Sequence, residues 1–175
     1  AAHQGHAIVS GAARGIDQRS MSGALEFGGN AVGIVADNLL RSATAVAYRK
    51  RIMSGHLTLI SPFNPEVAFN VGNAMARNRY IYGMADSAVV VSCTPDKGGT
   101  WSGALENLKA AWVPLWAKRT SKGESGNAEL VERGAQWLPD VVPSLDTLLV
   151  HSPRVVDREE LYEPTTPAPT THAPK

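Results

Sequence analysis

Three short stretches of the chain combine glycine, amide-bearing and basic residues in the way an anion site requires. The first, residues 9–17, reads V-S-G-A-A-R-G-I-D and follows an apolar run directly. Small residues at a strand end let the backbone turn sharply and let a ligand come close. With Ser10 leading in, the amides of Gly11, Ala12 and Ala13 can face an anion where a helix begins. Arg14, just before Gly15, adds a bidentate grip on phosphate. The glycines do not form G-x-G-x-x-G, so the dinucleotide fingerprint fails, and no Gly-Lys-Ser/Thr follows. A plain turn whose arginine pairs with a carboxylate fits the same residues. Asp17 suits a helix N-cap better than catalysis.

The second stretch, residues 73–86, carries Arg77, Asn78 and Arg79. Two arginines two residues apart cannot share one helical face, so one can point to a site while the other lies elsewhere. Arginine, asparagine and backbone amides are the usual partners of phosphate and sugar. A solvated helix end with ordinary ion pairs is the competing reading. The third stretch, residues 95–107, places Lys97 before Gly98, Gly99 and Thr100 at an expected helix start, a second cradle of amides with a cation. Trp101 suits the core of that helix, or a base stacked on its ring. Glu106 suits a general acid/base, or a surface partner of Lys109.

Other chemistries find less support. The five histidines are scattered and share no metal-ligand spacing with the single cysteine, Cys93, so no metal and no cofactor are expected. One cysteine excludes an internal disulfide and fits a reducing cytoplasm. No Ser-His-Asp or Cys-His arrangement and no carboxylate pair recurs in a loop. The longest apolar runs fall far short of the roughly 20 residues that cross a bilayer, and the start, A-A-H-Q-G-H, lacks the charged region of a signal peptide. The net charge of +1 conceals an asymmetry. Residues 1–119 hold 12 Lys/Arg and 7 Asp/Glu, whereas residues 120–175 hold 5 and 9. A basic body of this kind favours anionic partners only modestly.

The positioning elements alternate. Apolar, β-branched runs at 7–10, 31–35, 57–61, 87–92 and 113–117 read as buried strands, with a short one at 136–138. Helical spacing fills 18–27, 43–53, 70–84, 101–111 and 127–133, with a last helical turn at 145–150. This is the pattern of an α/β fold, a Rossmann-like, doubly wound, mostly parallel sheet with helices on both faces. In such folds ligands bind beyond the carboxyl ends of the strands, which is where the glycine and arginine stretches fall. Residues 1–150 are expected to form this domain. Residues 151–175, ending E-P-T-T-P-A-P-T-T-H-A-P-K, are too rich in proline and threonine to build a core and are expected to be disordered.

The motifs V-S-G-A-A-R-G-I-D, L-I-S-P-F-N-P, M-A-R-N-R-Y-I-Y-G-M-A-D-S-A-V-V-V-S-C-T-P-D-K-G-G-T-W-S-G-A-L-E and G-N-A-E-L-V-E-R-G-A, in this order over residues 7 to 138, resemble the DprA/Smf family of DNA-processing proteins. The resemblance implies an extended Rossmann-like fold, single-stranded DNA as ligand, loading of the RecA recombinase during natural transformation and DNA uptake, a homodimer, and no enzymatic activity. It implies a DNA- and phosphate-binding set of Ser10, Gly11, Arg14, Gly15, Arg77, Asn78, Arg79, Lys97, Gly98, Gly99 and Thr100. The chain also departs from the family. An earlier strand with a Gly-Ser motif usually precedes S-G-x-A-R-G-I-D, and this chain begins after it. The sheet is therefore expected to lack a central strand and the pocket one wall, unless another segment fills the gap. The approach to Arg77 reads N-V-G-N-A-M-A rather than F-P-x, and no winged-helix domain follows residue 140. The wider superfamily supplies an alternative, a phosphoribohydrolase acting on nucleoside monophosphates with Arg77 and Glu106 in catalytic roles. A nucleotide-sensing module is a third.

Overall fold

Short apolar runs with glycine between them fold into strands that helices can cover closely. The computed structural model describes residues 1–120 and 126–149. Its strands are β1 (Ile8–Ser10), β2 (Ala31–Ile34), β3 (Leu57–Ile60), β4 (Ala88–Val90), β5 (Leu115–Ala117) and β6 (Gln136–Trp137). The helices are α1 (Ile16–Glu26), α2 (Leu39–Thr44), α3 (Val46–Met53), α4 (Val71–Ala76), α5 (Asn78–Gly83), α6 (Gly98–Ala110) and α7 (Gly126–Glu132). Every ladder is parallel, with Ile8 opposite Ala31, Ala31 opposite Leu57, Ala88 opposite Leu115 and Trp116 opposite Gln136. Parallel pairing demands crossover helices, and α1, α3, α6 and α7 supply them.

The strands form two sheets, β1-β2-β3 and β4-β5-β6. In a doubly wound sheet of order 3-2-1-4-5-6 the first and fourth strands are neighbours. Here no ladder joins β1 to β4 among the described residues. The expected single sheet is thus interrupted between β1 and β4, in keeping with a sheet short of a central strand. Each sheet has its own core. Met21 and Leu25 of α1 pack on Ala31 and Leu57, while Trp101 and Ala104 of α6 pack on Val90, Leu115 and Leu130.

Side chains tie the halves together at both ends of the strands. At the amino ends, Gln4 Nε2 donates to Pro143 O at 2.9 Å and Gln4 Oε1 accepts from Leu145 N at 2.8 Å. His6 Nε2 lies 3.3 Å from Asp146 Oδ1. The 3₁₀ turn Leu145–Leu148 is itself fixed to β5, because Trp116 Nε1 donates to Leu148 O. At the carboxyl ends the tie is Arg77, described below.

Helix ends follow local chemistry where a cap residue is present. Gly28, at φ 74°, ends α1, with Gly28 N–H on Leu25 O and Gly29 N–H on Ala24 O, a Schellman closure. Two expected helices are each divided. The run 43–53 breaks at Ala45, whose ψ of 136° is extended, giving α2 and α3. Thr44 Oγ1 bonds back to Leu40 O and Arg41 O, a local competitor to helix propagation. The run 70–84 divides at Arg77 into α4 and α5. Asp17 is not an N-cap. Gly15 holds that position, and the Asp17 carboxylate reaches back to Ala13 N–H at 3.3 Å. The segment 151–175 lies outside the described residues. No helix among them is long and apolar enough to cross a membrane.

Candidate functional site

The loops beyond the carboxyl ends of β1, β2 and β4 hold most of the unusual backbone in the molecule. Ala12 has φ 54°, Asn38 φ 43° and Asp96 φ 55°, with Gly15 at 99° and Gly98 at 80°. Non-glycine residues in this region are strained, and such strain gathers at ligand clamps and active sites. The loops are built outward from the strands: Ser10 and Gly11 are buried at the end of β1, and Arg14 stands exposed before the N-terminus of α1. After β4, Lys97 N–H closes a turn on Thr94 O at 3.2 Å, and Gly98, Gly99 and Thr100 open α6.

Arg77 joins these loops. It is 7% exposed, and its side chain runs from the junction of α4 and α5 across the end of β1 to the end of β2. There Nη1 donates to Ile34 O at 2.6 Å. Gly11 is glycine because this guanidinium fills the space a Cβ would need. In dinucleotide-binding turns a glycine at such a position lets the pyrophosphate approach the backbone. In this chain an arginine takes that place. Burial pulls the Arg77 pKa below the usual guanidinium value, and the carboxylates of Asp17 and Asp37 push it back up. Neither carboxylate comes within ion-pair distance, and Nε is buried with no hydrogen-bond partner. A cation taken from water and left partly unpaired is costly. An arriving anion would relieve that cost.

Asn78, the next residue, turns the other way. Its Nδ2 donates to Gly99 O at 2.9 Å, and a Cβ at Gly103 would come within 2.9 Å of the same atom. The dipeptide Arg77-Asn78 therefore links the loop after β1 to the start of α6, and the three stretches singled out in the sequence meet. Arg79 lies exposed on α5. Arg14, Arg79 and Lys97 form no ion pair among the described residues. Trp101 does not face this edge. It is 3% exposed, with Arg133 Cζ 5.5 Å from its ring centre, so of its two readings the structure takes the core one. Glu106 forms no ion pair with Lys109, and its charge acts on the buried Tyr82 hydroxyl, whereas the carboxylates acting on Arg77 are Asp17 and Asp37.

One positioning residue escaped the sequence reading. Asn127, fully buried in α7, accepts from Cys93 N–H and donates to Val91 O and Lys118 O. It clamps the ends of β4 and β5, and so the loop that carries Lys97. Its only sequence signal is the G-N-A-E motif, since the contacts span tens of residues. Among the described residues no group of three or more His, Cys, Asp or Glu could hold a metal ion.

The parallel halves, strained carboxyl-end loops and unpaired buried arginine define a Rossmann-like protein with a cationic edge. Comparison with known proteins gives the family. Residues 1–148 match the model of DNA recombination-mediator protein A, and the chain belongs to that family. Among solved structures it is similar to DNA processing protein A of Streptococcus pneumoniae, with 21% identity and a TM-score of 0.65 over 78% of this chain and 49% of that one. It is also similar to DNA processing protein A of Helicobacter pylori, a single-stranded-DNA-binding protein, with 24% identity and a TM-score of 0.64 over 85% of this chain and 66% of that one. The chain thus spans about half the length of the first and just under two thirds of the second. Among curated proteins no sequence matches it.

Proposed function

We propose that this chain binds single-stranded DNA along the carboxyl edge of its strands, as a binding protein and not an enzyme. In this reading Arg14, Arg77 and Lys97 neutralise successive phosphates, Arg79 adds charge beside them, and the amides of residues 11–15 and 98–100 position the backbone. The observation that carries it is Arg77, a buried guanidinium with an unpartnered Nε that joins two glycine-bearing loops. Family membership and the H. pylori relative support DNA over other polyanions. The family description extends the proposal to a mediator that loads a recombinase of the RecA type onto the bound strand, acting as a cytoplasmic homodimer in DNA uptake.

The test is a filter-binding titration with oligo(dT) and with a mononucleotide, alongside chromatography for released base. Arg14→Ala and Lys97→Ala are the informative variants, because both side chains are exposed and hold nothing in place. Each should weaken oligo(dT) binding for all sequences alike, since phosphate contacts carry no base information. Parent-like affinity in both variants would overturn the reading. Release of base from AMP that Glu106→Gln abolishes would replace it with the phosphoribohydrolase.

A further inference from the structure

Phosphate contacts alone leave the bases unsupported, and sequence-independent single-strand binders commonly stack them on aromatic rings beside a cationic groove. The fold removes most aromatic residues from that role. Trp101, Trp116 and Tyr82 are buried. Phe27 follows α1 and leans on His3, with ring centres 5.5 Å apart, and Trp112 precedes β5, so both stand at the amino ends of the strands. Tyr80 lies past Arg77 on α5, which packs on α6.

Phe69 is placed differently. It is 63% exposed and lies in the connection from β3 to α4. That connection is pinned to the carboxyl end of β2 on both sides of the ring. Before it, Asn38 N–H donates to Val67 O at 2.8 Å, and after it Arg77 Nη1 donates to Ile34 O. Asn70 then caps α4 by accepting from Asn73 N–H at 2.7 Å, which fixes the direction in which the helix leaves the ring. On the outer side of α4, Val71 and Met75 stand one turn apart and are also exposed, at 65% and 41%. An apolar surface thus runs from Phe69 toward the arginine junction, six helical residues or about 9 Å from Val71 to Arg77.

Resting on the single-stranded-DNA reading, we propose that Phe69 is a base-stacking platform, with Val71 and Met75 as its apolar flank, and that it receives a base of the strand whose phosphates lie on Arg77. The charge beside the patch argues for this occupant. Its neighbours along the edge are the unpaired cations Arg14 and Lys97, which suit a polyanion with exposed aromatic faces.

The experiment measures fluorescein-labelled oligo(dT) binding by anisotropy across a salt series, for the full chain and its Phe69 variants. Phe69→Ala and Phe69→Leu should weaken binding about 5- to 150-fold, the worth of one base on one ring. The dependence on salt should stay parallel to the parent's, because stacking releases no counterions. Phe69→Trp should keep the affinity, and its added fluorescence should be quenched by oligo(dT). Parent-like binding by Phe69→Ala and Phe69→Leu, while Arg14→Ala weakens it, would overturn the proposal and leave the phosphate site standing. If Arg14→Ala and Lys97→Ala also bind as the parent does, the underlying DNA reading falls with it. Unchanged DNA binding with an altered mass in solution would assign the patch to a protein contact and overturn the proposal equally.

Discussion

Replacing Gly11 by alanine tests the placement of Arg77, because the added methyl group and the guanidinium cannot occupy the same space. Gly11 is not among the residues of positive φ, so the backbone accepts alanine without strain. The whole effect then falls on the arginine. Moving it breaks the bond from Nη1 to Ile34 O and leaves that carbonyl unpaired in a residue that is 0% exposed. A hydrogen bond to a charged group contributes about 1.5–3 kcal/mol, and an orphaned buried acceptor costs about 1–3 kcal/mol. The two overlap, so the expected loss is about 2–4 kcal/mol, which in a chain of this size lowers Tm by roughly 5–15 °C. Urea denaturation of Gly11→Ala, Arg77→Met and the double variant isolates the interaction. With Arg77 already gone, Gly11→Ala should cost nothing, and by restricting the unfolded chain it should gain up to about 1 kcal/mol. An equal cost of Gly11→Ala in both backgrounds would refute the reasoning.

Three further outcomes follow from other parts of the molecule. Asn127→Ala should cost about 3 kcal/mol or more, because it strands the buried Cys93 N–H and the Val91 and Lys118 carbonyls together, and amide hydrogen exchange at Cys93 should quicken. Burial first, and then the charge of Glu129, hold the Cys93 thiol above its usual pKa of 9.0. Burial, with Cys93 and Glu106, pushes the Tyr82 phenol above its usual 10.0. The folded chain therefore binds more protons than the unfolded chain once pH passes the ordinary thiol value, and stability should fall as pH rises from there. Urea midpoints between about pH 7 and 10.5 should show the decline, with its first part missing in Cys93→Ala. Gly103→Leu should push Asn78 from Gly99 O and weaken oligo(dT) binding by displacing the start of α6, without lowering the number of phosphates counted by a salt titration.

The parallel architecture was legible because its signals are local. The run S-A-V-V-V-S has no other home than a buried strand, and Gly28-Gly29 supplies the left-handed residue that a helix end requires. The break at Ala45 was not legible, since neither proline nor glycine marks it. The site divides in the same way. Residue types located its loops, and spacing showed that Arg77 and Arg79 face different ways. Nothing local announced that Arg77 would be buried across two strands, a contact between residues 43 apart in sequence. Gly11 carried that information, but a glycine in a turn invites explanation by conformational freedom, and here the reason is volume. Asn78 read as a phosphate ligand, yet its amide is committed to Gly99 O, as Asn107 is to Val113 and Asn127 to Cys93. Such buried asparagines satisfy backbone groups that the fold itself orphans, so their partners exist only once the fold does.

The account turns on one edge built from two sheets that no ladder joins, with cations from both sheets serving a single strand of DNA. The salt dependence of oligo(dT) binding measures this most directly, because each phosphate neutralised adds about 0.7 to the slope of log affinity against log salt. Removing Arg14 from one half and Lys97 from the other should lower that slope by about 1.4 in the double variant, and by half as much in each single variant. A double variant whose slope matches the parent's would show that DNA, if bound, is held somewhere else.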